Sequence, residues 1–243
     1  MSPVRRARGF TLLEMMIALA ILSVITAMSY AALQQMDDWA DPQSAASDLS
    51  GALALARARA VESGSDVWFI VYEDINRQGT AGQGHGAYFI VEDKRFDFIN
   101  GSGPPPASGN LLTYANFQPP GNINPLGEQG LLVDYKYLDA YSMSTKPSTV
   151  RFGVSGAVQY DPPFTELTPS ACSFCSGSPR RGAIVFGADG SARFFDGSGT
   201  PVVLGASNIA QRSAALGLIS TDQLREYIFA VSAPVGFIGM KKK

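Results

Sequence analysis

The sequence predicts an α+β protein in which a long N-terminal helix packs on a mainly antiparallel β-sheet head. Two observations carry this. An apolar run over residues 10–33 is followed, at 45–61, by a stripe with helical spacing. From residue 67 onward the chain instead offers short aromatic and β-branched runs separated by Gly- and Pro-rich turns. The 243 residues suffice for one head of moderate size and one membrane helix. The predicted segments are a basic leader at 1–9, a membrane helix at 10–33, its continuation at 34–64, and a β-rich head at 65–243.

The apolar run has 24 positions. At ~1.5 Å per residue it spans about 36 Å, enough to cross a bilayer core. It is too long for a secretory signal peptide, and no small-x-small cleavage site stands at its end. Arg5, Arg6 and Arg8 hold the N-terminus on the cytoplasmic side, which predicts a single-pass protein whose head faces the periplasm or its equivalent. Glu14 is the single charge between Gly9 and Asp37. A carboxylate is costly in hydrocarbon, so it has a partner or marks a function. An ordinary signal anchor with Glu14 near the headgroups is the plainer alternative.

Beyond the membrane, Pro42 predicts a break or kink, with Asp41 or Ser44 capping the resumed helix. Leu49, Ala52, Leu53, Ala56 and Ala60 then form one apolar stripe, with Arg57 and Arg59 solvated beside it. Gly64 supplies the C-cap. Strands are predicted at 67–73 and 87–92 around a glycine-rich hairpin loop. Others follow at 131–137, 149–154, 183–186 and 192–195, the last two joined by the tight turn 187–190. Residues 201–204 extend that sheet, and 226–231 with 235–240 form the closing pair. Residues 100–130, dense in Gly, Pro and Asn, form a loop that is either functional or poorly ordered.

The net charge is −2; three of the 19 basic residues lie in the first nine positions, leaving 16 against 21 acidic, a balance of −5. That argues against a surface that generally coats nucleic acid. Cys172 and Cys175 are the two cysteines, and in an oxidising compartment so close a pair most simply forms a disulfide. A zinc site needs two further ligands, and the one histidine, His85, is distant. A thioredoxin-type pair needs a helix N-terminus, whereas this one lies in a Pro/Ser/Gly-rich loop.

No catalytic constellation emerges, so the chain reads as a building block rather than an enzyme, with no cofactor. His85 in GQGHG lacks the strand-to-helix context of a phosphate loop. Glu73, Asp74 and Asn76 offer oxygens near a turn without EF-hand spacing, so no metal site is assigned. Tyr135, Tyr137, Tyr141 and Tyr160 read as sheet or interface aromatics.

The phrase G-F-T-L-L-E, after a basic leader, resembles the processing site of type IV prepilins and type II secretion pseudopilins. The resemblance implies that prepilin peptidase cuts between Gly9 and Phe10 and that the new Phe10 amine is methylated. It implies that Glu14 matches the family's assembly glutamate. The implied partners are that peptidase, other pilin or pseudopilin subunits, an inner-membrane assembly platform and membrane lipid. LALARARAVESGSDVWFIV, AIVFGADGSARFF and EYIFAVSAPVGFIGM resemble the FimT-like and pseudopilin-H branch of minor subunits. The 100–130 insertion, the CSFC motif, and Ala31 where many major pilins carry a proline depart from the family pattern. Some FimT-like pilins bind DNA through basic C-terminal residues, which makes Lys241, Lys242 and Lys243 the candidate DNA contact. The acidic balance and the lack of interleaved arginines favour a solubilising tail.

Overall fold

A computed structural model of the protein describes residues 12–99, 112–119, 130–140, 150–155, 170–204, 209–210 and 213–242. It comprises two units, Met1–Ala40 and Asp41–Lys243.

One helix, α1, runs through Leu12–Ser63. Its exit is the predicted one: Gly64 takes φ 67° and its N–H bonds to the Ala60 carbonyl at 3.0 Å. Pro42 lies inside it, so the expected break, with Asp41 or Ser44 capping a resumed helix, is not found. A proline inside a helix costs about 3 kcal/mol relative to alanine. Here Pro42 is itself buried, and Ala45, Ala46 and Leu49 sink into the core just beyond it. Tertiary packing outweighs the local penalty.

Among the described residues the head holds two antiparallel sheets and a small ribbon. The first has five strands in the order β3-β2-β1-β5-β6. These are β1 (Asp66–Tyr72), β2 (Ala87–Asp93), β3 (Gly130–Tyr137), β5 (Arg181–Phe186) and β6 (Ala192–Phe195). The second orders β11-β10-β9-β4, with β4 at Val150–Phe152, β9 at Ser213–Ser220, β10 at Glu226–Ser232 and β11 at Phe237–Lys242. β7 (Val203–Leu204) and β8 (Ile209–Ala210) pair only with each other, so 201–204 adds to the first sheet only through a bridge from Pro201 to Phe195. A single sheet was expected, and β9 was not foreseen at all.

The main core lies among the predicted stripe of α1, the inner faces of both sheets and Phe174. Leu49, Leu53 and Ala56 meet Phe69 and Val71 of β1, Ile184 of β5, and Leu216 and Phe229 of the second sheet. The other face of β1 carries Trp68, Ile70 and Tyr72 into a second core. A strand buried on both faces reads as an unbroken apolar run, as DVWFIVY nearly does. The cover on that second face is Phe98, Tyr114 and Phe117, fully or almost fully buried. Tyr114 and Phe117 belong to the 100–130 segment, so its described part, 112–119, is packing material rather than a free loop.

Candidate functional site

The helix Leu12–Ser29 is apolar enough to cross a membrane, with a mean hydropathy of 2.1 and none of its window buried. Its Leu, Ile and Met side chains stand exposed throughout, Leu12 by 79%. Two of its hydroxyls bond within the helix: Ser23 donates to the Ala20 carbonyl at 2.7 Å and Thr26 to that of Leu22 at 2.9 Å. Glu14 is the segment's sole ionisable residue and sits in the first turn of α1, where a carboxylate suits the helix dipole. Gly9 and Phe10 lie outside the described residues.

Cys172 and Cys175 are joined as a disulfide, with their Cα atoms 5.4 Å apart. Both sulfurs are thereby occupied, as the sequence predicts. Around them the loop clasps both sheets. Cys172 forms a bridge with Leu216 of β9, and the Ser173 N–H donates to the Ala215 carbonyl at 2.9 Å. Ser176 pairs in turn with Arg181 at the start of β5.

The lysines are not a tail beyond the last strand: Lys241 and Lys242 are residues of β11 itself. Successive strand residues face opposite ways. Lys242 lies over the Tyr227 ring at 5.7 Å, so the two ammonium groups are not presented together as one phosphate clamp. Lys243 lies outside the described residues.

The contacts of several remaining candidates lie within the head. Asn76 accepts from the N–H groups of Gln78 and Thr80, and Glu73 pairs with Arg180 at 3.2 Å. Burial nonetheless pushes the Glu73 carboxyl upward, against the pull of Arg180. His85 gives its carbonyl to the Phe152 N–H at 3.1 Å. Among the described residues no three His, Cys, Asp or Glu side chains converge on a metal position. Tyr135 stacks on Phe89 at 5.9 Å, while burial pushes the Tyr137 phenol up to about 12. Tyr141 and Tyr160 lie outside the described residues.

Arg57 and Arg59, expected to be solvated, and Arg181 each tie distant parts of the head together. Arg57 donates to the carbonyls of Gly190 and Val235, tying the helix to two hairpin turns. Arg59 bridges Glu62 and the buried Glu92. Arg181 closes a cleft of about 510 Å3: its guanidinium donates to the carbonyls of Gly197, Phe117 and Ala115, and lies 4.7 Å from the Tyr114 ring. Those donors are spent on backbone, so the cleft is braced by Arg181 rather than armed by it. Spacing in sequence gives no sign of such partners, because the carbonyls lie far along the chain.

Residues 4–30 match the family described as the prokaryotic N-terminal methylation motif. No curated protein and no solved structure matches the chain. The match supports a type IV pilin-like precursor, processed by prepilin peptidase and assembled with other pilin subunits.

Proposed function

We propose that this chain is a minor subunit of a type IV pilus or a type II secretion pseudopilus. It is cut between Gly9 and Phe10, methylated on Phe10, held in the inner membrane with its head in the periplasm, and then drawn into a filament. One observation carries this: a single helix has a bare apolar first part bearing one carboxylate and a second part that is the core of a β-rich head. In the membrane lipid covers the first part; outside it, only the helices of other subunits can.

Glu14 sets the register of that packing. The cationic Phe10 amine of one subunit and the Glu14 carboxylate of a neighbour neutralise each other in an apolar setting. At 4 Å the attraction is worth about 4 kcal/mol at an effective dielectric of 20. Desolvation offsets most of it, so the pair selects alignment more than it adds stability. Association itself comes from side-chain packing along the helices. The minor role rests on the 100–130 insertion and on the pattern-level likeness to the FimT-like and pseudopilin-H branch.

The test is Glu14→Ala in the full chain. The variant should reach the membrane, carry a mature N-terminus at Phe10 by mass spectrometry, and be largely lost from the sheared filament fraction. Normal incorporation would refute the register role, and an uncut N-terminus in the native protein would refute the processing.

A further inference from the structure

The disulfide loop is a strap laid along β9. It takes the place beside β9 next after β4, which pairs with Leu218 to Ser220. The Gly217 N–H donates to the Ala171 carbonyl at 3.0 Å, and the Ser173 N–H to the Ala215 carbonyl at 2.9 Å. The Ala215 N–H donates back to the Ser173 hydroxyl at 2.9 Å. Phe174 then drops into the main core, 2% exposed and stacked on Phe194 at 6.1 Å. Gly182 makes room for it, since a Cβ there would stand 2.5 Å from the Phe174 ring.

The two sulfurs of this strap are not equivalent. Cys172 lies between the bonded Ala171 and Ser173, is 2% exposed, and belongs to the main core with Leu216 and Phe174. Cys175 packs on the margin of that core and is partly exposed; Gly177, Ser178 and Arg180 just beyond it are exposed. Thiol–disulfide exchange is the attack of a thiolate on a sulfur, so it needs access and a thiolate that can form or leave. Cys175 offers the access. Cys172 in its docked place does not, because the strap covers it and apolar burial disfavours its thiolate.

We infer that Cys175 is the sulfur at which a disulfide oxidant acts on this head, and that Cys172 completes the ring only while the strap is lifted from β9. The Cys175 thiol loses its proton to solvent, and its thiolate attacks one sulfur of the oxidant's disulfide. That bond breaks, a mixed disulfide forms, and the oxidant's other sulfur leaves as a thiolate. With the strap lifted, Cys172 loses its proton and its thiolate attacks the Cys175 sulfur. The mixed disulfide breaks and expels the rest of the oxidant as a second thiolate. Two electrons pass from the cysteine pair to the oxidant, and the strap then closes over a finished bond.

A reductant meets the same asymmetry in reverse. Its attack at Cys175 must expel the Cys172 thiolate into the core, where that charge is disfavoured. Oxidation therefore precedes closure of the head, and closure protects the bond. None of these steps depends on which assembly takes the head up.

The experiment uses the purified full chain in mild detergent, with glutathione as the probe. Excess reduced glutathione on the native protein, followed by acid quench and alkylation, should leave glutathione on Cys175 and the alkyl group on Cys172 by peptide mass spectrometry. Glutathione on Cys172 would overturn the entry at Cys175, and this arm needs no variant. Cys172→Ala and Cys175→Ala each leave one thiol for oxidised glutathione, with protected β1 amides as the sign that they are folded. Cys175 should react within about tenfold of its rate in urea. Cys172 should be slowed about a hundredfold or more, because opening gives up the Ala215 bonds and the burial of Phe174. Equal slowing of the two thiols would overturn the asymmetry. Ser173→Ala removes one bond to Ala215 and should speed reduction of the native disulfide about fivefold. An unchanged rate would overturn the strap as the gate.

Discussion

Replacing Cys172 and Cys175 together by alanine should lower the stability of the head by about 2–3 kcal/mol without unfolding it. The disulfide closes a loop of four residues, from 172 to 175. The chain-entropy relation for a loop of that length gives about 2 kcal/mol at 25 °C. The lost sulfur contacts add to this, because Cys172 is buried and packs into the main core. Alanine rather than serine avoids burying a hydroxyl there. The loop then keeps its remaining anchors: the Ser173 N–H on the Ala215 carbonyl, the Ala215 N–H on the Ser173 hydroxyl, and the paired backbones of Ser176 and Arg181. For a head of this size each kcal/mol shifts Tm by roughly 2–4 °C, so the expected fall is about 4–12 °C. The assay is thermal unfolding of the full chain in mild detergent, followed by amide exchange. Exchange should quicken first at Ser173 and Ser176 and leave β1 protected. A Tm within about 1 °C of the native protein would refute the reasoning. So would early exchange in β1, since the clasp would then not be a local one.

Two further outcomes follow from the same packing. Leu53→Ala removes a fully buried side chain that touches both sheets, so it should cost about 3–4 kcal/mol and lower Tm by roughly 10 °C in the same detergent scan. A loss under ~1 kcal/mol would mean that α1 is not the hub of the core. Asp93 is raised above its ordinary 3.8 by burial, against the pull of the Phe98 and Asp97 N–H groups it accepts. The native state therefore binds the proton more tightly than the unfolded one, and this contribution is full below 3.8 and fades as pH rises through the raised value. Asp93→Asn cannot titrate, so its deficit in urea unfolding should shrink between pH 4 and pH 7; a deficit that grows would contradict the sign.

Sequence made the helix and most strands legible because their signals are local. The stripe from Leu49 to Ala60 and the run VWFIVY each encode their burial in their own spacing. The turn at Gly187 to Gly190 likewise names itself, and Gly64 marks the helix end. What escaped was structure whose cause lies elsewhere in the chain. β9 reads SAALGLIS, poor in the β-branched and aromatic residues that mark strands, yet it is an inner strand flanked by β4 and β10. Its small residues are what the position requires: a Cβ on Gly217 would stand 2.4 Å from Val154 and 2.5 Å from the Gly153 carbonyl. Close cover selects small side chains, and small side chains erase the strand signal.

The same logic separates the two parts of the candidate site. Glu14 was legible because a lone carboxylate in an apolar run contradicts its surroundings, and no partner in the chain is needed to see the contradiction. Arg57 and Arg59 looked solvated because their partners are the Gly190 and Val235 carbonyls and Glu92, which only folding brings near. Leu224 is the intermediate case: in sequence it is one apolar residue in TDQLRE, indistinguishable from a core position, and only the turn between β9 and β10 leaves it exposed.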